Sequence, residues 1–306
     1  MVRLRLDLAY DGGAFYGWAR QPTLRTVQGE LEQALHTILR VSADDPDEPL
    51  RLTVAGRTDT GVHALHQVCH LDVGEATLDR CVGHMGVPAP EALFRRLSRM
   101  VPDDIAIHAV SVAPEGFDAR FSALERTYVY RICDDARPVD PRMRGFVLAL
   151  DDRLDLDAMN AAAAMTIGLH DFGSFATPNP GGTTIREVKQ AYWSRIPVSS
   201  LVPGASGGAG TAGGYTVPAA ESGLVCFTIV ADAFARNMVR SLVNACVKVG
   251  QGRKDLNWFA EKMATPLREG STGPIAPQGL TLEYVAYPAA DQLAARAEAI
   301  RAKRTL

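Results

Sequence analysis

The stretch Ala55 to Ala64 reads AGRTDTGVHA and places an arginine, an acid and two glycines in one short polar segment. Leu50, Leu52 and Val54 alternate before it, and the run QVCHL at 67–71 has the composition of a strand after it. The segment is therefore predicted to be a turn that joins two strands. Charged residues on such turns are commonly where a rigid scaffold displays its chemistry.

Asp59 is the candidate catalytic group of this turn. Arg57 lies two residues earlier and supplies a cation that favours an ionised carboxylate. That environment suits a nucleophile or a base better than a general acid. Asp beside Gly is also ordinary turn chemistry, so the turn alone leaves a purely structural role open. Asp59-Thr60-Gly61 is the tripeptide of aspartic proteases too, but those enzymes need two such carboxylates and this chain has one copy.

The composition is that of an ordinary globular chain, with 306 residues, 47% of them apolar and 22% charged. No apolar run reaches the roughly 18 residues of a membrane span, and the N-terminus lacks a signal-peptide core. Five scattered cysteines without a Cys-x-x-Cys pair favour reduced thiols and a cytoplasmic protein. The net charge of −3 gives no general attraction to nucleic acid, so any RNA contact must depend on local arginines.

The apolar pattern predicts a β-α-β-β-α-β order that occurs twice, and this is the order of a ferredoxin-like unit. Alternating Val2 to Leu8 predicts a first strand, and helical spacing after Thr26 predicts a first helix. Further helices are predicted at 91–100, 158–167, 234–250 and 255–263, and further strands at 105–112, 128–132, 185–196, 224–230 and 280–284. The predicted fold is α+β, with halves at 1–112 and 113–306 that form one extended, mostly antiparallel sheet with helices on one side.

Two segments carry little chemical signal. The stretch 201–220 is rich in glycine, but no Lys-Ser/Thr follows it, so we interpret it as a flexible surface loop and not as a phosphate-binding loop. The tail from 289 to 306 is rich in alanine and arginine and is predicted to be a solvated helix. A role of this tail in RNA contact is the alternative.

The AGRTDTGVHA segment resembles the catalytic-loop signature of the tRNA pseudouridine synthase A family. Further blocks resemble that family in the same order along nearly the whole chain. They are YDGGAFYGWARQ at 10–21, TVQGEL at 26–31, FDARFSA at 117–123, RTYVY at 126–130, HDFGSF at 170–175, FARNMVR at 234–240 and APQGL at 276–280. The chain departs from the family pattern at Ala19, where glutamine is usual, and at Asn244, where glycine is usual.

The resemblance implies a pseudouridine synthase fold with a central active-site cleft between the halves. It implies isomerisation of uridine at positions 38, 39 and 40 of the tRNA anticodon stem-loop, by a homodimer that needs no cofactor or metal. Asp59 would be the nucleophile and Tyr128 would stack on the uracil. Arg57 would hold the RNA around the flipped nucleotide, and Arg240 would pair with Asp59. Candidate phosphate contacts are Arg20, Arg25 and Arg120, followed by Arg95, Arg96, Arg99 and Arg126.

Three other interpretations remain to be weighed. A catalytically silent RNA-binding protein could use the same scaffold, and a hydrolytic glycosidase could act on the same nucleoside bond. A metal site could be built from His63, His66, Cys69 and His70. On a strand, however, His66 and His70 would lie about 13 Å apart, too far to share an ion that needs ligands at about 2 Å. We therefore expect no metal there.

Overall fold

The computed structural model describes residues 1–42, 50–134, 139–178, 182–199, 219–268 and 272–301. The strands are β1 (Val2–Tyr10), β2 (Thr53–Val54), β3 (His63–Val73), β4 (Ile105–Val112), β5 (Glu125–Cys133), β6 (Leu148–Ala149), β7 (Gly168–Asp171), β8 (Ile185–Arg195), β9 (Val225–Ala231) and β10 (Leu280–Ala286). The helices are α1 (Val27–Leu39), α2 (Glu75–Arg80), α3 (Ala89–Met100), α4 (Leu156–Ala164), α5 (Met238–Gly250), α6 (Leu256–Ala264) and α7 (Leu293–Arg301).

The strands form one sheet in the order β4-β1-β3-β10-β5-β9-β8-β7, with β2 beside β3 and β6 beside β5. All pairs are antiparallel apart from β10 with β3 and β5 with β6. The spatial orders β4-β1-β3-β2 and β10-β5-β9-β8 are each that of a ferredoxin-like unit. The predicted α+β class and the single, mostly antiparallel sheet are therefore confirmed. A domain division at 112/113 stays a prediction, because the sheet is continuous across it.

Strand β1 shows why the alternating pattern folds as it does. Leu4, Leu6 and Leu8 are fully buried on one face, and each such side chain contributes roughly 1.5–3 kcal/mol of burial free energy. Arg3 lies on the opposite face, where its Nη1 donates to the carbonyl of Phe117 at 2.7 Å. That face is thus covered near β1 by the segment that follows β4.

Helix boundaries follow local backbone chemistry. Helix α1 begins directly after Thr26, whose hydroxyl accepts a hydrogen bond from the Gly29 N–H at 3.2 Å. Helix α5 begins at Met238 and not at Phe234 as predicted, because Asn237 has a left-handed backbone with φ of 62°. Helix α2, which the apolar pattern did not predict, is only six residues long.

The C-terminal helix differs from its prediction. Leu293 at the start of α7 is buried, and its carbonyl accepts from the Ser122 hydroxyl at 3.2 Å. The described part of the tail is therefore packed on the molecule and is not a fully solvated helix. Most of the predicted loop at 201–220 lies outside the described residues. No helix within the described ranges is long and apolar enough to cross a membrane.

Candidate active site

The Asp59 segment is a compact turn between β2 and β3, as predicted. The N–H of Val62 donates to the carbonyl of Asp59 at 3.1 Å and closes the turn. Gly61 has φ of 75°, and a Cβ there would lie 2.7 Å from Cγ of Pro277. Glycine is therefore required at this position by both its backbone conformation and the close approach of Pro277.

The turn is also fixed by the segment after β1. Trp18 N–H donates to the carbonyl of Thr58 at 3.1 Å, and Gly61 N–H donates to the carbonyl of Phe15 at 3.2 Å. Gly17 has φ of 88° and approaches the same turn so closely that a Cβ would lie 2.9 Å from the Thr58 oxygen. A segment about 40 residues earlier in sequence thus fixes the turn that carries Asp59.

Asp59 is half-buried, and this burial raises the pKa of its carboxyl. The charges of Arg240 and Arg236, followed by the backbone N–H of Asn237, act in the opposite direction and favour the carboxylate. The sequence pattern placed Arg57 beside Asp59 as the cation that favours its carboxylate, and the resemblance implied Arg240. Arg57 is exposed instead, and the positive charges that act on Asp59 come from the N-terminal end of α5.

Asn237 and Arg236 are residues that sequence reasoning did not assign to the site. The left-handed backbone of Asn237 starts α5, and its side-chain amide donates to the Thr177 hydroxyl at 2.8 Å. Thr177 N–H donates to the carbonyl of Arg236 at 2.8 Å. Asp59 therefore faces a braced helix N-terminus, whose partial positive charge favours an anion. The only sequence signal for this helix start is Asn237 itself, which precedes a run of apolar residues.

Arg240 lies in the first turn of α5 and is half-buried. Its Nε donates to the carbonyl of Ile275 at 2.7 Å, and the Ile275 N–H donates back to the Arg240 carbonyl at 3.2 Å. Within the described residues Arg240 and Asp59 interact through their charges without a direct ion pair. The pair that the resemblance implies is thus not a direct ion pair, because backbone contacts orient the guanidinium.

The segment before β10 forms another wall of the site. Besides Ile275, its Gly273 carbonyl accepts from the Asn244 side chain at 2.7 Å, and its Ala276 carbonyl accepts from the Tyr130 hydroxyl at 2.7 Å. Asn244, where the family pattern has glycine, therefore joins α5 to this segment. Tyr130 is fully buried and has a structural role.

Tyr128 supplies an aromatic surface close to Asp59. It lies on β5, is 7% exposed, and meets the ring of Phe234 edge to face with centroids 5.1 Å apart. Burial raises the pKa of the Tyr128 hydroxyl, and Tyr10 and the charge of Asp59 add to that effect. The hydroxyl therefore stays protonated at neutral pH and can donate a hydrogen bond. A buried aromatic beside a carboxylate is a suitable surface for a planar base.

The candidate phosphate contacts differ in how free they are. Arg20 and Arg120 are exposed, like Arg57. Arg25 instead binds both carboxylate oxygens of Asp104 at 2.6 and 2.9 Å and lies over the Phe15 ring at 4.2 Å from its centroid. Its guanidinium is therefore engaged within the protein.

Arg126 is the clearest departure from the sequence interpretation, which grouped it with the phosphate contacts. Its guanidinium is buried and donates to the carbonyls of Asp232 at 2.5 Å, Ala55 at 2.6 Å and Arg120 at 2.8 Å. These carbonyls belong to three separate segments, one of which begins the catalytic turn. Arg126 is thus a structural cation.

The histidines and Cys69 do not converge. His66 contacts Asp7 through Nε2 at 3.0 Å, whereas the Nδ1 of His70 accepts from the Ala119 N–H at 3.0 Å. Burial lowers the pKa of His63 and raises that of Cys69. Across the described chain no group of three or more His, Cys, Asp or Glu side chains is arranged to hold a metal ion.

Comparison with known proteins identifies the family of the chain. A family model described as tRNA pseudouridine synthase matches residues 162–288. The tRNA pseudouridine synthase A of Bifidobacterium longum (strain DJO10A) is 71% identical over 306 residues, which are 100% of both chains. The enzyme of the same name from Bifidobacterium animalis subsp. lactis is 68% identical over 307 residues, again 100% of both. That of Streptomyces griseus is 45% identical over 100% of this chain and 95% of the relative. The chain therefore belongs to the tRNA pseudouridine synthase A family, whose members are isomerases.

Proposed function

We propose that this protein isomerises uridine to pseudouridine at positions 38, 39 and 40 of tRNA, with Asp59 as the nucleophile. The observation that carries the proposal is one half-buried carboxylate placed among the charges of Arg236 and Arg240 and the buried ring of Tyr128. The site thus brings together a reactive oxygen, an aromatic ring and cationic groups. Family membership supports uridine in tRNA as the substrate.

The reaction breaks the N1–C1′ bond, turns the uracil and joins its C5 to C1′. The hydrogen on C5 leaves as a proton, N1 gains a proton, and no atom is otherwise gained or lost. The carboxylate of Asp59 would attack C1′ as positive charge develops there, and would leave when C5 attacks in turn. Removal of the 2′ proton and attack on the uracil ring are alternative first steps that use the same carboxylate.

The neighbouring groups have distinct roles in this proposal. Tyr128 stacks on the flipped uracil, and its protonated hydroxyl is available to assist proton movement at C5. Arg240, fixed by the Ile275 backbone, keeps positive charge near Asp59 and opposes the effect of burial on its pKa. Arg57 is exposed at the turn and would hold a phosphate next to the flipped nucleotide.

RNA binding would depend on local charge, because the net charge of the chain is −3. Exposed Arg20 and Arg120 are the proposed phosphate contacts, and the engagement of Arg25 leaves it a supporting role. A homodimer in which one tRNA spans both subunits would join two such surfaces. The five free cysteines support a cytoplasmic location.

The proposal is tested with tRNA transcripts that carry tritium at uridine C5. Closure of the C5–C1′ bond must release that hydrogen to water, so wild-type protein should release tritium. Asp59→Asn should release none while it still binds tRNA. Asp72→Asn is the matched control, because Asp72 is paired with Arg3 elsewhere on the sheet, and it should keep the wild-type rate.

The alternatives give different results in the same experiment. A hydrolytic glycosidase would produce free uracil, which chromatography of the products would detect. A silent RNA-binding protein would bind tRNA tightly and release no tritium. Tritium release at the wild-type rate by Asp59→Asn would remove Asp59 from the reaction altogether.

A further inference from the structure

A chain of buried hydrogen bonds runs beneath the Asp59 turn. Tyr10, Thr58 and Gln67 are 4%, 6% and 0% exposed, so water does not compete for their polar groups. The Tyr10 hydroxyl lies 2.8 Å from Oγ1 of Thr58, and Nε2 of Gln67 donates to the same tyrosine oxygen at 3.2 Å. Tyr10, at the end of β1, thus connects Gln67 of β3 to the residue that precedes Asp59.

Two backbone groups fix the orientation of the Gln67 side-chain amide. Nε2 of Gln67 also meets the carbonyl of Gly56 at 2.9 Å, and Oε1 of Gln67 accepts from the Val68 N–H at 3.2 Å. A carbonyl can only accept and an N–H can only donate, so the amide has one satisfactory orientation. Tyr10 therefore accepts from Gln67, and its hydroxyl shares a second hydrogen bond with the Thr58 hydroxyl, in which either oxygen can donate.

The Tyr10 hydroxyl keeps that hydrogen over the whole range in which the enzyme would be assayed. Burial raises the pKa of Tyr10 to about 12, although its hydrogen bonds to Thr58 and Gln67 act in the opposite direction. A neutral, buried Tyr10 hydroxyl therefore remains a hydrogen-bond partner of Thr58 over that range.

Thr58 is held from its backbone as well. Its carbonyl accepts from the Trp18 N–H at 3.1 Å, and Gly17 approaches so closely that a Cβ there would lie 2.9 Å from the same oxygen. Tyr10 thus binds the Thr58 side chain, and Trp18 binds the Thr58 backbone. Since Asp59 is the next residue, rotation of Thr58 would move the carboxylate.

We propose that Tyr10 is a positioning residue that, through its hydrogen bond to Thr58, sets the location of the Asp59 carboxylate for reaction. The inference rests on the proposed function, in which Asp59 is the reacting group. Displacement of a reacting group by about 1 Å can reduce a rate about 100-fold even when the change is remote from the chemistry. Tyr10 touches neither the proposed substrate position nor the Asp59 side chain in any described hydrogen bond.

The test is single-turnover and steady-state tritium release by Tyr10→Phe, which removes only the hydroxyl oxygen. We expect kcat to fall about tenfold or more while KM for tRNA is unchanged, because binding does not require the carboxylate to be placed for attack. Thr58→Val should have a similar effect. The double variant should be no slower than the slower single variant, because both substitutions break the same Tyr10–Thr58 hydrogen bond.

The matched control is Tyr287→Phe. Tyr287 also has a mostly buried hydroxyl, which donates to the Ala119 carbonyl at 2.6 Å away from the catalytic turn. This variant should lose a similar amount of thermal stability and keep the wild-type kcat. If Tyr10→Phe and Tyr287→Phe change kcat equally, or if Tyr10→Phe changes only KM, the positioning role is overturned.

Asp59→Asn in the same assay separates this inference from the proposed function. Activity in Asp59→Asn would refute the role of Asp59, whatever Tyr10→Phe does. An inactive Asp59→Asn together with a fully active Tyr10→Phe would refute the positioning role alone. If Tyr10→Phe does not fold, as judged by its circular dichroism and thermal melt, the kcat of Thr58→Val decides the question.

Discussion

Removal of the Arg126 guanidinium should destabilise the fold more than any exposed arginine substitution. One buried side chain donates to the carbonyls of Asp232, Ala55 and Arg120, which lie at the end of β9, at the start of the catalytic turn and before β5. Burial lowers the pKa of Arg126, which shows that its charge is poorly solvated. The three carbonyls have therefore replaced water as its partners.

The expected magnitude follows from those three hydrogen bonds. A hydrogen bond from a charged donor contributes about 1.5–3 kcal/mol, and each buried carbonyl left without a donor costs about 1–3 kcal/mol. Loss of the buried charge relieves part of this cost. We therefore expect Arg126→Met to lower the free energy of unfolding by about 3 kcal/mol, and Arg126→Lys to recover only part of it, because an ammonium lacks the planar fork.

The measurement is urea unfolding of Arg126→Met, Arg126→Lys and a matched control, Arg95→Met. Arg95 is exposed and forms one ion pair, with Glu91 at 2.5 Å on the same helix, so its substitution should cost no more than about 0.5 kcal/mol. The slopes of the unfolding curves should be alike, since the surface exposed on unfolding is the same. An Arg126→Met midpoint equal to that of the control would refute this reasoning.

Three further outcomes are expected. Asp59→Asn should raise Tm at neutral pH, because burial raises the pKa of the wild-type carboxyl and so disfavours its charged form. This gain in Tm should disappear as the pH falls below the ordinary carboxyl pKa. A gain in Tm that does not depend on pH would contradict the prediction. Gly17→Ala should lower the free energy of unfolding by about 1–2 kcal/mol or more, because φ is 88° and the new Cβ would lie 2.9 Å from the Thr58 oxygen. An unchanged urea midpoint would show that the turn can move to accept the Cβ. Arg25→Ala should leave the salt dependence of tRNA binding unchanged, whereas substitution of the exposed Arg20 by alanine should reduce its slope by about one. Equal slopes for the two variants would contradict this difference between the two arginines.

Local sequence patterns were sufficient to predict the elements that bury only one face. The alternating leucines of β1 predicted its bounds well, and Thr26 predicted the start of α1 because a hydroxyl before an apolar run caps a helix. The AGRTDTGVHA segment likewise predicted a turn between strands. These features depend on neighbours in sequence, so they can be read without knowledge of the rest of the fold.

The electrostatics of the site could not be predicted in the same way. The spacing of Arg236 and Arg240 gives no information about what packs against them, and Arg57 was the only cation near Asp59 in sequence. Only the resemblance indicated Arg240. Arg126 was likewise grouped with the candidate phosphate contacts. Its three carbonyl partners come from positions up to 106 residues away, so only the assembled sheet reveals its burial.

The last strand of the sheet is what brings the parts of the site together. β10 pairs in parallel with β3, directly after the catalytic turn, and antiparallel with β5, which carries Tyr128. The residues that lead into it contact α5 through Ile275 and the turn through Pro277. Gly279 completes this approach, because a Cβ there would lie 2.6 Å from the Tyr130 ring. The carboxylate, the aromatic surface and the helix N-terminus therefore share one site only when β10 occupies the gap between β3 and β5, so catalytic geometry and closure of the sheet depend on the same contacts.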